Sequence, residues 1–162
     1  MTSTKEPVVE SPTNRSPGQH TFRILILDTP EHVDLLKTAC KEAGHAVVAA
    51  HSIAESFAFL DDKDHADVIV CAAYLEDESL FDFLGKLRNH PTHQHSRFMI
   101  LSLEPGPAGV LMNYTVEIAG KALGADAFVR MPEFDEKKLV AEIDKLLPSI
   151  PSLERSRIDG EL

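Results

Sequence analysis

No stretch of this 162-residue chain approaches the ~18 consecutive apolar residues that cross a bilayer, so no membrane-spanning helix is expected. The first residues, Met1-Thr2-Ser3-Thr4-Lys5-Glu6-Pro7, lack the basic-then-apolar layout of a secretory leader. Cysteine is scarce. Cys40 and Cys71 have no metal or redox spacing and read as small reduced core residues of a cytoplasmic protein. Basic residues are also in deficit, 16 against 26 acidic, for a formal charge of −10. In the terminal segments Lys5 and Arg15 balance Glu6 and Glu10, and Arg155 and Arg157 fall one charge short of Glu154, Asp159 and Glu161. The middle of the chain therefore carries −9 of the −10, a surface that repels a nucleic-acid backbone. Neither a Gly-x-Gly-x-x-Gly phosphate cradle nor a Ser-His or Cys-His arrangement stands at a strand end, so nothing argues for an independent enzyme.

What remains is ordinary globular composition, 43% hydrophobic and 26% charged, enough for one core. Residues 1–21 are rich in Ser, Thr and Pro and read as a disordered tail. Residues 22–148 form the expected domain. The stretch 149–162 reads as a C-terminal tail too short for an output domain.

Strand and helix then alternate. Arg23-Ile24-Leu25-Ile26-Leu27 is a continuous apolar strand of the kind buried on both faces. Asp28-Thr29-Pro30 breaks it, and a helical period through Val33, Leu35, Leu36, Ala39, Cys40 and Ala43 stops at Gly44. Residues 46–50 make a second strand, and Ser52 is a natural N-cap for a helix through Ile53, Phe57 and Leu60. Further strands are expected at 67–72, 98–102 and 127–131. Further helices are expected over 78–89, through Val116, Ala119 and Leu123 to Gly124, and through Leu139, Val140, Ile143, Leu146 and Leu147. Five β–α units with short connections imply a parallel sheet covered on both faces, with ligands at the carboxyl ends of the strands. Asp28, Ala72, Ser102 and Met131 fall at those ends.

Three further features draw attention. The acidic turn Asp61-Asp62-Lys63-Asp64 reads as a solvated connection. His90, His93 and His95 have no strong metal-ligand spacing and also read as a solvated polar loop. The segment 105–114, Pro-Gly-Pro-Ala-Gly-Val-Leu-Met-Asn-Tyr, makes a long apolar connection over 103–109. It either packs back on the core or alters a contact surface.

The chain resembles the receiver domains of bacterial two-component response regulators over about residues 22–148. The resemblance rests on Leu27-Asp28-Thr29-Pro30, on Asp67-Val68-Ile69-Val70-Cys71-Ala72, and on Phe81-Asp82-Phe83-Leu84-Gly85-Lys86-Leu87-Arg88. It rests also on Met99-Ile100-Leu101-Ser102 and on Ala122-Leu123-Gly124-Ala125-Asp126-Ala127-Phe128-Val129 leading to Pro132. It implies a doubly wound, flavodoxin-like (βα)5 fold.

It also implies a site in which two acidic residues after strand one and an aspartate after strand three hold Mg²⁺. That third aspartate accepts a phosphoryl group, which a hydroxyl after strand four and a lysine after strand five neutralise. Here Ala72 stands at the acceptor position and Met131 at the lysine. Asp28 and Ser102 are retained. The second carboxylate is missing, whether Thr29 or Leu27 is taken as its position. Mg²⁺ binding is therefore expected to be weak at best, through Asp28, and no cofactor is implied. Glu76 and Asp77 lie in the following loop, displaced from the pocket floor.

These departures describe a degenerate receiver that works by phosphorylation-independent protein contact. By resemblance its face is the fourth helix, fifth strand and fifth helix, with Phe128, Tyr114 and Met131 as candidate switch or contact residues. Implied partners are a histidine kinase, another response regulator, a signalling or motility assembly, or a second copy through that face. The alternative is a receiver still switched by an unusual acceptor or by a small anionic ligand near Asp28 and Ser102.

Overall fold

The computed structural model describes residues 21–62, 65–103 and 107–147, with the backbone alone for 107–112. Both proposed tails thus lie outside the described residues, apart from Thr21 at the edge of the first. Apolar strands and amphipathic helices alternate as β1 (Arg23–Leu27), α1 (Pro30–Glu42), β2 (Ala46–Ala50), α2 (Ile53–Asp61), β3 (Val68–Ala72), α3 (Leu80–Arg88), β4 (Arg97–Ser102), α4 (Pro107–Ala122), β5 (Ala127–Arg130) and α5 (Glu136–Leu146). The strands form one parallel sheet in the order β2-β1-β3-β4-β5. The strand order reverses between β1 and β3, which opens a crevice at their carboxyl ends.

Because β1, β3 and β4 are covered on both sides, alternate residues of each strand serve two separate cores. Leu25, Leu27, Ile69, Cys71, Phe98 and Ile100 pack with Leu60, Phe83, Leu84, Leu87 and Val116 of α2, α3 and α4. Ile24, Ile26, Val68, Val70, Met99 and Leu101 pack with Val33, Leu36, Leu139 and Ile143 of α1 and α5. Phe83 joins its layer edge-on to both Phe57 and Phe98, at ring separations of 5.3 and 5.6 Å.

The caps follow local chemistry. The Ser52 hydroxyl accepts from Glu55 N–H at 3.0 Å, and the Asp135 carboxylate accepts from Lys138 N–H at 3.1 Å. Gly44 after α1 has φ 95°, a conformation that disfavours any side chain. One expectation was wrong. The long loop over 103–109 does not form, because α4 begins at Pro107, whose fixed φ suits a first helical position and whose missing N–H costs nothing there. The side chains of Val110, Leu111 and Met112, whose packing or exposure was left open, lie outside the described ones.

Arg88 ties the amino-terminal edge of the sheet together. Its Nε and Nη2 donate to the Gly124 carbonyl at 3.0 and 2.8 Å, and Nη1 donates to the Gln94 and Ser96 carbonyls at 3.0 and 2.7 Å. Nη2 also meets the Asp126 carboxylate at 3.0 Å, which itself accepts from Phe98 N–H at 2.9 Å. All five guanidinium donors are thus used, a pattern a lysine ammonium cannot reproduce. Gly124 has φ 110°, and a Cβ there would press on the Arg88 side chain at 3.0 Å. Arg88→Ala is expected to cost about 2–3 kcal/mol in urea unfolding, with Arg88→Lys recovering less than half of it. A loss under about 0.5 kcal/mol for Arg88→Ala would show that the clamp is idle.

Candidate functional site

At the crevice between β1 and β3 the chain opens a cavity of about 580 Å³, lined by Leu27, Asp28, Thr29, Pro30, Glu31, His51, Leu75, Glu76, Asp77 and Glu78. Leu27 is level with Cys71 across the β1–β3 ladder, so the next step of the strands brings Asp28 beside Ala72. The geometry thus puts Asp28 and Ala72, the position that the resemblance assigns to the acceptor, side by side. Ala72 is buried and contributes no oxygen.

Asp28 is not free. Its Oδ1 accepts from Thr29 N–H at 2.6 Å and pairs with His32 Nδ1, one helical turn along α1, at 2.9 Å. Burial pushes the Asp28 carboxyl above its ordinary range, and the Thr29 N–H and His32 pull against that rise. Glu78 is committed too, since both its oxygens face the Ile53 N–H at the start of α2, at 3.0 and 3.3 Å. The turn carrying it closes through a Leu75–Glu78 bridge, with Asp77 at φ 62°. Glu76 and Asp77, in the loop after β3, line the same cavity as Asp28. Position 72 nevertheless offers no ligand to the octahedral oxygen set that Mg²⁺ requires, and Asp28 Oδ1 is already occupied by internal donors. The residues present do not make the metal site that the resemblance implies.

Ser102 ends β4, but it does not line that cavity. Its hydroxyl donates to Asn113 Oδ1 at 2.9 Å, and the Tyr74 hydroxyl donates to the same oxygen at 2.9 Å. The retained pair Asp28 and Ser102 is thus split between a cavity and a closed polar network. Sequence reasoning missed this network because Asn113 and Tyr74 lie 39 residues apart. A buried asparagine on the inner face of an otherwise apolar helix is the signal that could have found it.

Met131 is not a contact residue, contrary to expectation. It is 2% exposed in the core beside Leu101 and Val129, and its Sδ accepts from Asp135 N–H at 3.2 Å. Phe128 is half-buried against the opposite core, whereas Tyr114 is 63% exposed. Neither cysteine is a nucleophile. Burial pushes Cys40 up to about 12, and burial, with Asp28 and Glu78 adding, holds Cys71 well above its usual value.

The histidines correct another expectation. His93 is buried rather than solvated, and its Nε2 donates to the Leu60 carbonyl at 2.8 Å. His90 stacks on Phe57, and its Nδ1 accepts the N–H groups of Thr92 and His93 at 3.0 and 3.3 Å. His90 Nε2 therefore carries the proton and donates to Asp61 Oδ1 at 3.0 Å. Asp61, His90 and His93 converge as metal ligands would. Ligation through His90 Nε2, however, would force its proton onto Nδ1, against two backbone donors. The cluster closes the ends of α2 and α3 instead.

Solved structures of similar shape carry one description. The chain superposes on the chemotaxis response regulator CheY4 of Vibrio cholerae at TM-score 0.65 and 21% identity, covering 79% of this chain and 100% of that one. A response regulator from Chloroflexus aurantiacus gives 0.66 and 22%, covering 78% and 98%. The receiver domain of a histidine kinase from Syntrophus aciditrophicus gives 0.64 and 21%, covering 80% and 92%. No protein-family profile and no curated sequence matches the chain. The fold is the CheY-like, doubly wound fold of receiver domains. Among the described residues no helix is long and apolar enough to cross a membrane.

The Asp28 environment has a pH signature. Its folded-state pKa lies above the ordinary 3.8, so the folded protein binds more protons and loses stability as pH rises through that interval. Asp28→Asn keeps an oxygen for Thr29 and His32 but removes the buried charge. The variant is expected to unfold at higher urea than the parent at pH 7, with the gap narrowing as pH falls towards 3.8. A gap that widens on acidification would refute the account of Asp28.

Proposed function

We propose that this protein is a receiver-like signalling module that acts through protein contact without being phosphorylated. The observation that carries the reading is Ala72, a buried methyl group beside Asp28 where the resemblance calls for an acceptor carboxylate. Two further features support it. Asp28 is bound to His32 and Ser102 to Asn113, so neither retained group is poised for a phosphoryl oxygen. Met131 is sealed in the core, so the position that the resemblance gives to the lysine offers no ammonium. The module works without turnover, in the cytoplasm.

Its contact face is the surface of α4, β5 and α5. Tyr114 and Ile118, one helical turn apart on α4, are 63% and 54% exposed, and Phe128 lies half-buried on β5. Tyrosine is a frequent anchor of protein interfaces, with an apolar ring and a polar tip. Partners of matching chemistry are a histidine kinase, another response regulator, a signalling or motility assembly, or a second copy of this chain. The competing reading, a small anionic ligand near Asp28, meets an unfavourable field. The cavity is lined by Asp28, Glu31, Glu76, Asp77 and Glu78, with His51 as its one basic group.

Two measurements test this reading. Incubation with acetyl phosphate and Mg²⁺ is expected to leave the intact mass unchanged, and beryllofluoride to leave the amide spectrum unshifted. A labelled protein whose label disappears on mutation of Glu76 or Asp77 would sink the phosphorylation-independent mechanism. Separately, Ile118→Glu is expected to weaken self-association or kinase binding by about tenfold or more, equivalent to about 1.4 kcal/mol. It should move the unfolding midpoint by no more than about 0.5 kcal/mol. Unchanged affinity would place the contact on another face.

A further inference from the structure

We propose that Asn113 is an internal pin that fixes the rotational setting of α4, standing in for the control that a phosphoryl group would exert on that helix. The inference deepens the reading of the α4 face and rests on it.

Among the described side chains of α4, the buried positions are Asn113, Val116 and Gly120, a spacing that defines one inward face. Among these described positions apolar anchorage is slight. Val116 contributes one small side chain. Gly120 contributes none, and serves instead to let the helix approach Ile100, whose Cδ1 would collide with a Cβ there. Among those positions Asn113 alone has polar side-chain partners, and it is 2% exposed.

Its Oδ1 receives two hydroxyl donors at 2.9 Å, from Ser102 at the last residue of β4 and from Tyr74 in the segment after β3. A carbonyl oxygen has two lone pairs, so both donors are satisfied at once and neither competes with the other. Three parts of the carboxyl edge therefore meet at one atom. The next residue, Tyr114, points outward and is 63% exposed. Neighbouring residues on a helix lie ~100° apart, so a rotation by one position would carry the Tyr114 ring inward and strand the two hydroxyls. The pin thus decides which residues α4 shows to a partner. It also engages the hydroxyl that the receiver resemblance reserves for the phosphoryl group, which leaves the helix set without a signal.

The test is amide hydrogen exchange on the full chain and three variants, Tyr74→Phe, Ser102→Ala and Asn113→Leu. Tyr74→Phe removes a single oxygen and keeps the ring, so it remains informative if Asn113→Leu folds poorly. The α4 amides are expected to exchange roughly threefold faster in either single-donor variant and more than tenfold faster in Asn113→Leu, while the β1 and β3 amides change less. Combining Tyr74→Phe with Asn113→Leu should add nothing to Asn113→Leu alone. Equal acceleration of α4 and the central strands would reduce Asn113 to general stability and overturn the proposal, as would α4 exchange unchanged in all three variants. Acetyl-phosphate labelling of the parent protein fails or succeeds independently of these rates, so loss of the pin and loss of the phosphorylation-independent reading are separable.

Discussion

Burial of β1, β3 and β4 on both faces is the constraint from which the rest of the molecule follows. Helices are needed on each side, so α2, α3 and α4 cover one face and α1 and α5 the other. Right-handed crossovers then force the chain to begin in the middle of the sheet and wind outward in both directions. The divergence of β1 and β3 leaves a crevice at their carboxyl ends, and Asp28 stands in it with Glu31, Glu76, Asp77 and Glu78. The same two-sided burial makes polar groups at that edge costly unless bonded, which is why Asp28, Ser102 and Asn113 each have internal partners.

The edge differs from a phosphoryl-transfer site in its electrostatics as much as in its missing nucleophile. Phosphoryl transfer needs concentrated positive charge, from a dication and an ammonium. This crevice gathers carboxylates, while Ala72 and Met131 at the neighbouring strand ends are buried and uncharged. Met131 is absorbed into the core beside Leu101 and Val129. Ser102 and Tyr74 both donate to Asn113 on α4.

Most of the architecture was legible in the chain because strand burial and helix periodicity are local patterns. The run Ile24-Leu25-Ile26-Leu27, the Ser52 cap and the glycine stops at Gly44 and Gly124 each take the form their neighbours dictate. The start of α4 was misread because Gly106 and Gly109 outweighed the favourable placement of Pro107, a contest of local signals that helix packing decides. His93 was misread as solvated because a histidine in a polar loop gives no hint of a carbonyl waiting 33 residues away. Met131 was read as a candidate switch or contact residue from its position in a pattern, whereas its apolar side chain is buried.

The sequence by itself determined the parallel sheet, the order of its elements and the apolar residue types at positions 72 and 131, since each depends on residue type at a local position. Only the tertiary structure decided which surviving polar groups remain available. Hydrogen-bond partners such as Tyr74, Ser102 and Asn113 meet only once β3, β4 and α4 are packed, and burial penalises any of them left alone. The side chain at position 72 is a sequence fact. That Asp28 stands beside it while Ser102 is engaged elsewhere is a consequence of folding.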